Sequence, residues 1–179
     1  MRRAFLLLLA CGCASAGTPS TEVTSRQPTI LVDPQAGTLL GERPRAESAT
    51  IAAPPAVVWA ATKKVYGAMG IPLTVEDPAG HQLGNPNFYA SRQFAGQPMT
   101  KLVDCGNGMT GQKAATYRIY MSLITVVQSD GGSGSLVHTT FAALGQDVSE
   151  GSTDRIACGS KGALEQLVLE QIAAAAAKP

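Results

Sequence analysis

Between residues 115 and 144 the chain holds two runs of alternating side chains separated by a short stretch of turn-forming residues. Tyr117, Ile119, Met121, Leu123 and Val127 fall on one side of the first run, and Arg118, Tyr120, Ser122, Ile124 and Val126 on the other, because successive strand side chains point to opposite faces. The first set is expected to face inward. Ser129-Asp130-Gly131-Gly132-Ser133-Gly134 is dominated by residues that accept positive φ, and residues 135–144 return as a second strand. A chain carrying this segment builds antiparallel sheet, and the apolar side of that sheet needs a cover.

Two amphipathic segments can supply the cover. Pro54-Pro55 ends a short strand at residues 48–52 and puts a proline at the first helical position. Val58, Ala61, Val65 and Met69 then recur at helical spacing, and Gly70 stands where a left-handed residue closes the helix. Trp59 and Tyr66 flank this stripe and read as core and rim packing. Near the end of the chain, Ser160 is a candidate N-cap for a helix whose apolar side carries Leu164, Leu167, Val168, Gln171, Ile172 and Ala175, with an alanine run at 173–177.

The segments between are shorter. Residues 71–75 read as a strand, Asp77-Pro78-Ala79-Gly80 as a turn and residues 81–84 as the return. Residues 85–99 alternate poorly and are expected to be irregular, with one strand at 88–94; another short strand is expected at 155–158. The expected architecture is α+β: a two-layer sandwich of an antiparallel sheet with two helices packed on one face, a single domain over residues 48–179.

The N-terminus reads as an address. Residues 1–3 are a short basic start, residues 4–10 an apolar run, and residues 11–17 a small-residue stretch, the plan of a signal peptide. Seven apolar residues rise about 10 Å as helix, too little for a hydrocarbon core of roughly 30 Å. Leu8-Leu9-Ala10-Cys11 resembles the lipobox of bacterial lipoproteins. That resemblance implies removal of residues 1–10, a diacylglycerol thioether on Cys11 and, because Gly12 rather than aspartate follows, attachment to the outer membrane facing the periplasm. Ala14-Ser15-Ala16 offers ordinary signal peptidase an alternative site, and Cys13 is a second lipidation candidate. Residues 18–46 are rich in proline and small polar residues around an apolar island at 30–32; residues 11–47 are expected to form the lipidated N-terminus and a flexible linker, the island being a candidate edge strand.

Past that region two cysteines remain, Cys105 and Cys158. An even pair in an exported domain reads as a disulfide. Their spacing is not that of a redox C-x-x-C. Net charge excludes another class of partner: the chain carries +1, and loss of Arg2 and Arg3 with residues 1–10 lowers that by two, to −1. Nucleic-acid recognition begins with a basic patch, so no nucleic acid is expected.

Motifs that suggest chemistry lack its context. Gly106-Asn107-Gly108-Met109-Thr110-Gly111 has the letters of a dinucleotide loop, but a strand rather than a helix is expected after it, so it reads as a turn. His81 and His138 have no histidine or carboxylate three or four residues away, and no metal site is nominated. Asp147, Glu150 and Asp154 share a loop without the order of a calcium loop. Gly131-Gly132-Ser133-Gly134-Ser135 misses a nucleophile elbow at its last position. No catalytic residue and no cofactor are assigned.

Residues 54–84, with Val57-Val58-Trp59 in the helix, Gly70-Ile71 at its end, and Asp77 with Gly80 in the turn, resemble the helix-plus-hairpin opening of BamC-like domains. Those domains belong to an outer-membrane lipoprotein accessory to the β-barrel assembly machinery. The resemblance implies a non-catalytic envelope protein that acts through its surfaces. The expected function is therefore an outer-membrane-tethered lipoprotein that touches the membrane through its lipid and binds an envelope protein. The alternatives are a periplasmic carrier for a small ligand or lipid, which requires a large apolar cavity, and a secreted hydrolase. The hydrolase requires His81 or His138 beside a serine and a carboxylate.

Overall fold

The computed structural model describes residues 45–149 and 151–178. The signal peptide, Cys11, Cys13, the 14–16 cleavage site, the linker up to residue 44 with its 30–32 island, and Glu150 lie outside the described residues, whereas residues 45–47, expected to end the linker, belong to the first strand. In chain order the elements are β1 (Arg45–Ile51), α1 (Pro55–Ala68), β2 (Val75–Asp77), β3 (Gln82–Ser91), β4 (Gln93–Phe94), β5 (Gln97–Pro98), α2 (Met99–Leu102), β6 (Val103–Asp104), β7 (Asn107–Gly108), β8 (Gly111–Gln112), a 3-10 turn at Lys113–Ala115, β9 (Arg118–Ser129), β10 (Ser135–Gln146), β11 (Arg155–Ser160) and α3 (Ala163–Ala176).

The long hairpin organises the rest. β9 and β10 pair without interruption from Ser129 opposite Ser135 to Arg118 opposite Gln146. Asp130 closes their turn: its Oδ1 accepts the backbone N–H of Gly132 at 2.8 Å and of Gly134 at 3.1 Å. β3 joins the free side of β9, and β2 joins β3, giving the order β2-β3-β9-β10-β11-β6. The far side of β10 is shared. β1 pairs with its first part, Arg45 opposite Phe141 through Ile51 opposite Ser135, and β11 with its last, Ala143 opposite Cys158 through Gln146 opposite Arg155. The sheet is antiparallel with seven strands, and α1 and α3 pack together and on its strands, so the α+β expectation holds.

The short strand expected at 48–52 is longer and earlier, Arg45–Ile51, because ladder pairing to β10 continues through charged residues that apolar patterning does not register. The strand expected at 71–75 forms only at Val75–Asp77. Residue 71 instead completes the end of α1: Gly70, at φ 72°, donates its N–H to Gly67 O, and Ile71 donates to Tyr66 O at 2.9 Å. This is the paired bonding of a glycine-closed helix end, with buried Ile71 and Tyr66 together beneath it. The segment expected to be irregular at 85–99 extends β3 to Ser91 across a bulge between Asn85 and Phe88. Asn85 is buried there; its Nδ2 donates to Pro72 O at 2.6 Å and its Oδ1 accepts the Asn87 N–H. Its side chain thus uses polar groups that the bulge would otherwise strand.

The core lies between sheet and helices. Val58, Val65 and Tyr66 of α1, Ile119, Leu123 and Val127 of β9, Val137 and Phe141 of β10, and Leu164, Val168 and Ile172 of α3 are all essentially removed from solvent. Ser160 is not the N-cap of α3; that position is Gly162, in a left-handed conformation at φ 79°. Ser160 Oγ accepts the Gly162 N–H at 3.0 Å and donates to Glu165 Oε1 at 2.6 Å, tying down the turn ahead of the helix. Leu169 and Glu165 belong to the buried side of α3, beyond the expected stripe, because β1 and β10 both contact that helix and widen the covered face.

Candidate functional site

Alternation along β9 and β10 creates two unlike faces. On the helix-covered face the polar groups are paired inward. Tyr66 Oη lies 2.9 Å from Thr125 Oγ1 and donates to Leu123 O at 3.4 Å, and Thr125 Oγ1 lies 3.0 Å from Thr139 Oγ1. Burial pushes the Tyr66 hydroxyl far above the usual tyrosine range, so it stays protonated and acts as a fixed hydrogen-bond group. Glu165 is the exception on this side: Oε1 receives Ser160, but buried Oε2 has no partner among the described residues. Burial raises its pKa, opposed by the Ser160 bond, its own backbone N–H and Arg45, while Glu47 reinforces the rise.

Cys105 and Cys158 are disulfide-bonded, as expected from their pairing in the sequence. The bond lies beside the ladder in which Gly159 and Ser160 of β11 pair with Asp104 and Val103 of β6. Gly145 passes directly over it: a Cβ there would stand 3.0 Å from Cys158 Sγ, 3.2 Å from Tyr117 Cδ2 and 3.3 Å from Cys105 Sγ. The bridge is therefore packed into the covered face.

The motifs singled out in the sequence fall far from one another's chemistry. Asn107–Gly108 and Gly111–Gln112 pair as a small hairpin followed by a single 3-10 turn, so no helix end meets the glycine loop. Asp147 Oδ1 accepts Ser149 Oγ at 2.6 Å and the Ser149 N–H at 2.9 Å, and these bonds lower its pKa, the side-chain bond most. Among the described residues no group of three or more His, Cys, Asp or Glu is placed to hold a metal ion. His81 sits in the β2–β3 turn at φ 54°.

His138 has a partner the sequence did not suggest. Ser48 of β1 stands directly opposite it, and Ser48 Oγ lies 2.6 Å from His138 Nδ1. Of the three hydrolase groups, serine and histidine meet, whereas the ion pairs among the described residues, Arg45–Glu47 and Lys63–Glu76, include no carboxylate on His138. The pair is what directly opposed cross-strand positions produce.

The outer face of the sheet, opposite the helices, gathers the most recognition chemistry. Tyr89 of β3 and Tyr120 of β9 are cross-strand partners whose ring centroids are 5.9 Å apart at 48°. The Arg118 guanidinium lies 5.1 Å from the Tyr89 centroid, and Arg155 of β11 reaches across β10 to within 3.8 Å of the Tyr120 centroid. Tyr89 is 64% exposed. The signal for this cluster was present as an aromatic and a cation at outward positions of the long strand; Tyr89 and Arg155 fall in the short strands expected at 88–94 and 155–158, whose faces and neighbours the sequence did not assign. No known protein-family model matches the chain, and neither does any curated protein.

Proposed function

We propose that the chain is a non-enzymatic lipoprotein, exported, anchored to the outer membrane through a lipid on Cys11 and facing the periplasm. Its α+β domain binds another envelope component as a scaffold or assembly accessory. The observation that carries this reading is the Cys105–Cys158 disulfide, since such bonds persist in oxidising compartments and the N-terminal lipobox-like run supplies the matching address. The α1-β2-β3 opening, which resembles BamC-like domains, supports the same class of role. A packed sheet–helix interface favours binding at a surface over carriage in an interior pocket: Tyr66, Leu123, Phe141, Leu164 and Ile172 fill that space. The groove of about 400 Å³ between α1 and α3, with Lys64 and Lys178 on its rim, opens to solvent.

Mass spectrometry of the mature N-terminus tests the proposal. A diacylglycerol adduct on Cys11, recovered with outer membranes, is the expected result. An intact, cytosolic chain with Cys105 and Cys158 reduced overturns it.

A further inference from the structure

We infer that the outer-face cluster of Tyr89, Arg118, Tyr120 and Arg155 is a docking platform for an acidic glycan, an extended polysaccharide bearing carboxylate or phosphate groups. The inference rests on the export reading above and names the partner chemistry of the same domain.

Each guanidinium is held against a ring, yet neither makes a hydrogen bond or ion pair among the described residues. A guanidinium lying over a ring face keeps its N–H donors in its own plane, where they suit bidentate capture of an anion. Two such groups on one face, with no carboxylate at ion-pair distance from either among the described residues, favour a negatively charged partner. The partner's length follows from topology: β3 and β11 are separated by β9 and β10, so the cluster extends about 14 Å across the strands at ordinary strand spacing. A ligand that covers the platform from Tyr89 on β3 to Arg155 on β11 therefore spans more than one sugar ring.

The strands argue for rings over peptide. Tyr120 lies on β9, which is paired on both sides, by β3 and β10. Main-chain pairing with an added peptide strand is closed at the centre of the platform. Recognition there runs through side-chain faces, and the open Tyr89 ring offers a flat apolar surface to the face of a sugar.

The test uses the mature chain lipidated on Cys11, in detergent, and polygalacturonate as the probe, with its methyl ester, polyglutamate and oligo(dT) in parallel titrations. Saturable binding of polygalacturonate that weakens with salt is expected, with about tenfold weaker binding by the ester, by polyglutamate and by oligo(dT). Tyr89→Ala, Arg118→Ala and Arg155→Ala are each expected to lose about tenfold in affinity while melting as the parent does. Arg118→Lys, which retains charge but not the fork, should fall between parent and alanine variant. Binding unchanged by the substitutions overturns the platform, polyglutamate or oligo(dT) binding as tightly as the glycan overturns the partner class, and Arg118→Lys matching the parent overturns the stacked fork. Failure to bind polygalacturonate by a chain shown to carry lipid on Cys11 overturns this inference alone; absence of the lipid overturns the tether.

Discussion

The two faces of the central sheet are built from alternate residues of the same strands, yet they spend their side chains differently. The covered face uses Tyr66, Thr125 and Thr139 as a closed polar relay inside an apolar layer, where an unpaired group would carry a desolvation cost. On the open face, Arg118 and Arg155 lie over tyrosine rings and make no ion pair among the described residues. Water compensates their free N–H groups, so the fold does not require them to find partners. Stability therefore depends strongly on the side chains of the first face and weakly on those of the second, and a face that stability does not constrain is available for recognition.

This contrast can be broken or sharpened by substitution. Phe141→Ala, on a fully buried side chain, should cost about 3–5 kcal/mol in denaturant unfolding; a loss as small as that of an outer-face substitution would break the comparison. Replacing Cys105 and Cys158 together by alanine should cost about 4 kcal/mol, the chain-entropy value for a separation of 53 residues, and the reduced parent should melt near the double variant. Tyr66→Phe leaves Thr125 and Thr139 bonded to each other and should cost about 1–1.5 kcal/mol by the same assay.

Glu165 sharpens the contrast through pH. Its pKa is raised on folding, mainly by burial, so its favourable contribution is complete below the ordinary glutamate range and is lost as pH rises through the folded value. Relative to the parent, Glu165→Gln should gain stability as pH rises above the ordinary glutamate range, read in paired melts; parallel pH profiles would show that Oε2 is not enclosed. The smallest effect is expected outside: Tyr89→Ala should alter unfolding by about 0.5 kcal/mol or less, because the ring is mostly exposed.

The parts legible in the sequence were those encoded by near neighbours. The Asp130 turn, the inward set Ile119, Met121, Leu123 and Val127, and the glycine end of α1 all follow from residues a few positions apart. The errors have a common cause. Ser160 is a good cap residue by type, but the turn after it uses Gly162 at positive φ and turns Ser160 toward Glu165. β3 continues through Asn85 because a bulge and a bond to Pro72 rescue a stretch whose alternation is broken. Ser48 meets His138 only through the register of β1 on β10.

By itself the sequence determined the hairpin, both long helices and the disulfide partner of each domain cysteine, since periodicity, turn chemistry and the count of cysteines are local or combinatorial properties. Only the tertiary structure decided that Tyr89, Arg118, Tyr120 and Arg155, drawn from three strands, share one surface. Strand pairing over long separations sets which outward side chains become neighbours. Outward positions carry little hydrophobic signal from which that register can be read.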